Sequence, residues 1–373
     1  MKIILSLVLG VFMTLSAGRA GAANPEIDKL LKLIKLPPGF KINLFAEARD
    51  ARSLVVGRRT DTVFVGSMSW VLHALTDTDR DGVADIVKLK LNRLQAPNGV
   101  AMLDGSLYIG LRSRIVKWPG NAENNLNRKL ARLKPIFTGL NSNAHHGRRV
   151  IAFGPDRKLY IAIGTPCNVC MGRGNEGKIL RMDPDGGNVE VVARGVRNSV
   201  GFDWHPKTGE LFFTDNGSDG LGDDIPADEL NRVTGLGQDF GFPYYGGGDT
   251  RTPEFRDREP PKNAKQPVMK FQAHTANLGI HFYRGNMFPA RYRHDAFVAQ
   301  HGSWNRSSPV GYRIMRIRFN DQGLPVGKNI FASGWLQGGD YWGRPVDIKE
   351  LSDGSLLVSD DFVGAVYRIS YEK

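Results

Sequence analysis

The stretch NAHHGRRVIAFGPDRKLYIAIG, residues 143–164, decides how the rest of the chain is read. VIAF and LYIAIG alternate in the manner of strands, and GPDR supplies the turn between them. The paired histidines His145 and His146 therefore fall on the loop that enters a hairpin, where functional groups collect.

Working outward from this hairpin, one unit recurs six times. A short strand rich in aromatic and β-branched residues ends in Gly, Ser or Asp, and a second strand follows it. The pairs are TVFVGSM with WVLHALTD, GSLYIGL with RIVKWP, KLYIAIG with KILRMDPDG, ELFFTDNG with DELNRV, AFVAQHG with YRIMRIRF, and SLLVSDD with AVYRIS. They come roughly every 45–60 residues, with one long excursion between Gly217 and about Tyr283. A unit of this size cannot bury both faces alone, so units stack or close into a ring. Several short strands per unit predict a six-bladed β-propeller, an all-β fold forming one domain over residues 23–373. A solenoid fits less well, because its β-repeats are shorter. Helix is expected only in PEIDKLLKLIKLPPGF, closed by Pro37 and Pro38.

Residues 1–22 combine Lys2, an apolar run and a small-residue end, the pattern of a secretory signal peptide. No later run is long enough to cross a bilayer, so stable membrane insertion is not expected and a bacterial periplasm is. The formal net charge of +12 is spread along the chain. It suits a solvated surface, an anionic ligand or an acidic redox partner. Nucleic acid is a poor fit for an exported chain without basic–aromatic repeats. Two cysteines, Cys167 and Cys170 in PCNVC, predict a short-loop structural disulfide in an oxidising compartment.

Two kinds of constellation carry chemistry. DTDRDGVAD offers Asp77, Asp79, Asp81 and Asp85 around Gly82, the first part of a calcium loop, though Lys88 stands where a bidentate Glu would close it. A structural calcium between blades is expected there. The second kind lies on loops expected at one mouth of the ring: Gln95 and Asn98, His145 and His146, Arg197 and Asn198, His301, Trp304, Asn305 and Arg306, and Tyr341, Trp342 and Arg344. Guanidinium groups that grip carboxylates bidentately, with tryptophans as walls, suit a flat, multiply anionic ring system. Any one of these residues alone would read as a strand cap, an ion pair or core. His205, at a different strand junction, reads as structural.

In order and spacing, HHGRRVIAFGPDRKLYIAIG, GVRNSVGFDWHPKTGELFFTDNG, DELNRV…GQDFGFP, HGSWNRS…GYRI and GRPVDI…DGSLLVSDD resemble the glucose/sorbosone dehydrogenase family over roughly residues 38–370. The resemblance implies a soluble six-bladed propeller that uses pyrroloquinoline quinone (PQQ) and Ca2+. It implies His146 as general base, with His145 the fallback, and Arg197 and Asn198 at the reacting centre and cofactor. It implies Asn216 as an amide contact, calcium on the backbone carbonyls of Gly217 and Ser218, and Arg344 or Arg306 at the cofactor carboxylates. A sugar or sugar-derived aldehyde or alcohol would pass hydride to the quinone, and electrons would leave to a periplasmic cytochrome or quinone. RNSVG puts Val200 where the family often has an amide, DDIPADELN carries extra residues, and Arg157 replaces a common glycine. A calcium-dependent lactonase, or a propeller that binds sugar or protein without PQQ, are the competing readings.

Overall fold

The computed structural model describes residues 24–91, 94–126 and 133–372, so the expected signal peptide lies outside the described residues. Six sheets radiate around a channel, one per recurring unit. Each unit read from the sequence forms the second and third strands of a blade, for example Leu159–Ile163 and Lys178–Met182. First strands pack against one another around the channel, Val150–Phe153 on Gly99–Leu103 and Gly201–Trp204 on Asn277–Phe282 among them. The turn between Leu103 and Ser106 is Asp104-Gly105 with φ of 48° and 74°. Two successive left-handed residues match the twist of the flanking strands, which is why Asp-Gly sits here.

Closure joins the two ends of the described chain. Phe40–Glu47 pairs antiparallel with Ala365–Tyr371 and becomes the outermost strand of the last blade. The sequence units contained no hint of this strand. It ties the beginning of the described chain to its end and so closes the ring. The excursion before Tyr283 supplies the outer strand Met269–Phe271 of the fourth blade and Gln238–Asp239, which adds in parallel to the third. One α-helix, Pro25–Leu31, is capped by the Asn24 side chain and buries Ile27 and Leu31.

Buried apolar side chains form six clusters, one between each neighbouring pair of blades. Each large side chain buried there contributes about 1.5–3 kcal/mol. Polar staples add register: Asp203 accepts the Phe282 N–H at 2.8 Å and Asp347 accepts that of Leu54 at 2.8 Å, each from the next blade. A buried carboxylate on a backbone amide leaves no unpaired donor where two inner strands meet. Among the described residues no helix is long and apolar enough to cross a membrane.

Candidate functional site

At one end of the channel the blade loops enclose a cavity of about 440 Å³, within the usual range for small-molecule sites. Two kinds of segment build it: connections that enter a blade's first strand, and hairpins between second and third strands. His146, Arg197, Asn198 and Arg344 come from the first kind; Asn216, Gly217, His301, Trp304 and Asn305 come from the second. Both kinds of loop open at the same end of the ring.

His146 is the best-defined group. Its backbone is left-handed, with φ of 47°, and this aims the ring at blade 3. Nδ1 lies 2.9 Å from the Thr165 carbonyl. A carbonyl only accepts, so Nδ1 carries the proton and Nε2 keeps its lone pair. Burial, then the charge of Arg197, holds the imidazole pKa down to about 2, so the ring is neutral. His145 is exposed and stacks at 4.0 Å on His146 without lining the cavity.

Gly164 fixes the distance between the histidine and its carbonyl. A Cβ there would lie 2.6 Å from the His146 Cβ and 3.2 Å from the Arg197 carbonyl oxygen. Gly164→Ala is expected to displace the imidazole and lower the proposed turnover about 10²-fold, the cost of roughly 1 Å of misplacement, with far-UV dichroism unchanged.

The four cavity arginines divide into two pairs by what they already hold. Arg197 donates Nε to the Asn168 carbonyl (2.9 Å), Nη2 to Asn168 Oδ1 (2.8 Å) and Asp219 (3.1 Å), and Nη1 to the Asn216 carbonyl (3.2 Å). A single guanidinium N–H remains, so a bidentate grip by Arg197 is excluded. Arg52 is paired with Asp361 at 2.8 Å. Arg344 spends Nε and Nη2 on the His301 and Gly302 carbonyls, keeps Nη1 free, and lies over the Tyr312 and Tyr341 rings. Arg148 makes no hydrogen bond or ion pair among the described residues. Limited hydration and the nearby Arg52, Arg112 and Arg344 hold its pKa at about 10. The cavity thus presents two uncommitted cations.

Two residues of the cavity wall also carry unspent acceptors. Asn216 Oδ1 and Asn305 Oδ1 are buried without a partner, and both residues line the cavity. A buried amide oxygen left unpaired costs about 1–3 kcal/mol unless a ligand or ion completes it. Gly217 lines the cavity, whereas Ser218 is buried behind it.

Several expected residues lie elsewhere. Trp342 donates its indole N–H to the Gly334 carbonyl and packs on Trp335 and Tyr367, in the core between blades 5 and 6. Arg306 is bound to the Asp223 carbonyl and to Asp224, tying two rim loops together. Gln95 is exposed, and its carbonyl accepts the Arg112 N–H. Asn98 is buried between Arg52 Nε and the Arg149 carbonyl, so it supports a cavity arginine and does not line the cavity. The acidic turn joins Val71–Thr76 to Ile86–Leu91 of blade 1 and touches blade 6, the Gly82 carbonyl accepting from the Asn43 side chain and the Ala84 N–H donating to the Phe45 carbonyl, each at 2.8 Å. It lies at the end of the blade opposite the cavity. Carboxylate oxygens of Asp77, Asp79 and Asp85 lie within 4.8 Å of one another, while Asp81 stands outside the group and accepts the Val83 N–H.

Arg148, Arg52 and Asp361, the partner of His301, went unassigned in the sequence. His301 Nε2 sits 2.8 Å from Asp361, and burial nevertheless holds its pKa down to about 4. A signal existed: Met68, Asn216, His301 and Asp361 each follow directly on a blade's second strand, and all four line the cavity.

Beneath the cavity, Asp215 and Glu229 are cross-strand partners and both fully buried. Asp215 accepts the Arg197 and Asn198 N–H groups. Burial pushes both carboxyls up, and the charge of Asp215 adds to the effect at Glu229. A raised native pKa gives stability that is complete below the ordinary carboxylate range and is lost as pH rises through the native value. Glu229→Gln is therefore expected to flatten the fall in Tm between mildly acidic and neutral pH. An unchanged slope would show that the pair is ionised at no cost.

A family described as a domain of unknown function, DUF7133, matches residues 66–368. The chain belongs to this family. An uncharacterised protein of Borreliella burgdorferi is 38% identical over 363 residues, covering 93% of each chain. Among solved structures, a carbohydrate-active enzyme of family AA12 from Trichoderma reesei superposes with a TM-score of 0.75 at 20% identity, covering 91% of this chain and 98% of its own. The PQQ domain of pyranose dehydrogenase from Coprinopsis cinerea, in its holo form, gives 0.74 at 18%, covering 90% and 97%. The soluble aldose sugar dehydrogenase of Escherichia coli gives 0.67 at 15%, covering 89% and 100%. The DUF7133 chain thus shares its six-bladed fold with sugar dehydrogenase propellers, and the resemblance drawn from the motifs holds at the level of the fold.

Proposed function

We propose that this propeller is a PQQ- and calcium-dependent dehydrogenase of sugars or sugar-derived aldehydes and alcohols, exported to the periplasm. One observation carries the reading: a neutral imidazole with its lone pair free lines one ligand-sized cavity together with Arg148 and Arg344, which have no carboxylate partner among the described residues. That donor set suits a planar tricarboxylate with a cation at its edge. Arg148 and Arg344 would hold carboxylates, and Asn198 and Asn216 would meet the ring system. The carbonyls of Gly217 and Ser218 would hold the cation, and Trp304 would wall the mouth. The bound cofactor supplies the hydride acceptor, and calcium polarises it as a Lewis acid.

The protein's own part is positional. Thr165 fixes the imidazole tautomer, and His146 Nε2 takes the substrate hydroxyl proton as hydride leaves the same carbon. Burial, then the charge of Arg197, keeps that imidazole unprotonated until the transfer. A second, structural calcium at Asp77, Asp79 and Asp85 belongs to the same reading, as does a periplasmic cytochrome or quinone as electron acceptor.

The test is reconstitution of the metal-free, cofactor-free protein with PQQ and calcium, followed by aldoses, sorbosone-like aldehydes and alcohols with an artificial acceptor. Dye reduction that needs both additions is expected. No spectral change on adding PQQ, and no turnover with any of the panel, would overturn the assignment.

A further inference from the structure

The Cys167–Cys170 disulfide lies on the rim, in the connection between the second and third strands of blade 3. Its four-residue ring contains Asn168, a residue that no motif singled out. Asn168 does two jobs at once. Its side chain clasps the Asp219 backbone like a strand partner, Oδ1 accepting the N–H at 2.8 Å and Nδ2 donating to the carbonyl at 2.9 Å. Its two oxygens also take two of the N–H groups of Arg197, the backbone carbonyl at 2.9 Å and Oδ1 at 2.8 Å. Asp219 completes the hold on Arg197 and passes it on, accepting from Asn305 at 2.7 Å.

Three rim loops from blades 3, 4 and 5 are thus locked through one guanidinium that is only 4% exposed. The backbone of this four-residue segment is held by the bridge, by the Arg197 bond to the Asn168 carbonyl and by a bond from Thr165 Oγ1 to the Cys167 carbonyl at 3.4 Å, while Met171 is half exposed and the cysteines are partly accessible. Both oxygens of Asn168 must point one way for the arrangement to exist.

We propose that Asn168 is the positioning residue for Arg197 and that the disulfide holds it there, so that opening the bridge frees the guanidinium and weakens anion binding in the cavity. The clamp stands on the geometry alone. The consequence for ligand binding rests on the PQQ reading above.

The experiment uses the full chain with four variants: Asn168→Ala, Asn168→Asp, Arg197→Ala, and Asn168→Ala with Arg197→Ala. A fifth sample is wild type opened by a dithiol, which delivers two electrons and two protons to the bridge and leaves as its own disulfide. Side-chain N–H signals of Arg197 are followed by 15N NMR without ligand, and PQQ affinity is then titrated in calcium. In wild type a protected Arg197 signal is expected. It should be lost on reduction, return on reoxidation, be lost in Asn168→Ala, and survive in Asn168→Asp, which keeps the accepting oxygens.

PQQ affinity should fall about tenfold in Asn168→Ala and on reduction, the equivalent of one net hydrogen bond to a charged group. It should fall no further when Asn168→Ala is added to Arg197→Ala, because a residue acting through Arg197 has nothing left to act on. Additive losses, or an Arg197 signal unchanged by reduction and by Asn168→Ala, would overturn the clamp whether or not PQQ binds. A wild type that shows the protected signal but binds no PQQ would leave the clamp intact and remove the cofactor reading.

Discussion

His146→Ala is expected to lower dye-linked turnover of the reconstituted protein by about 10²–10⁴-fold, the usual contribution of a positioned base, while PQQ remains bound. The reason is local. Only Nδ1 of this ring is engaged, by Thr165, and no other imidazole lining the cavity is held in the same way. His301 Nε2 is tied to Asp361, and His274 is engaged at both nitrogens, Nε2 by the Gly222 carbonyl and Nδ1 by the Asn305 amide at 3.4 Å. Equilibrium titration of PQQ separates the two outcomes. Unchanged turnover would refute the base, since His145 lies outside the cavity and cannot replace it without moving its loop.

The second large effect concerns binding. Arg344→Ala and Arg148→Ala are each expected to weaken PQQ by about 10–100-fold, the range of a charge-assisted bond of about 1.5–3 kcal/mol. Arg344 also supports the His301 and Gly302 carbonyls, so its removal can loosen a loop. Arg344→Lys retains the charge and separates these causes. Arg148 has no such structural duty, which makes it the cleaner probe. If Arg148→Ala binds PQQ as tightly as wild type, the cavity's positive charge is not what recognises the ligand.

Arg197 behaves differently from both. Its guanidinium is almost fully committed to Asn168, Asp219 and Asn216, so it acts as a buried charge beside His146. The identity of a cavity-lining arginine does not reveal this. Arg148 and Arg197 look alike in sequence, yet one is free and one is locked, because the loops that meet them belong to different blades.

The ring and its number of blades were legible because strand periodicity and turn chemistry are local: KLYIAIG with KILRMDPDG, or Asp104-Gly105, needs no distant partner to declare itself. The general location of the site followed from it, since loops on one side of a ring must converge. His146, Arg197, Asn198 and Arg344 did meet in one cavity. Trp342 and Arg306 did not, because an aromatic ring and a guanidinium are equally at home in a blade interface or a loop-to-loop ion pair, and only the packing around them chooses. Closure by Phe40–Glu47 was likewise decided in three dimensions, since a strand's partner 318 or more residues away leaves no trace in its own alternation. Sequence determined which segments are strands and which loops share a mouth. Tertiary structure alone decided which polar groups are already satisfied by their neighbours, and the groups left over are the ones available to a ligand.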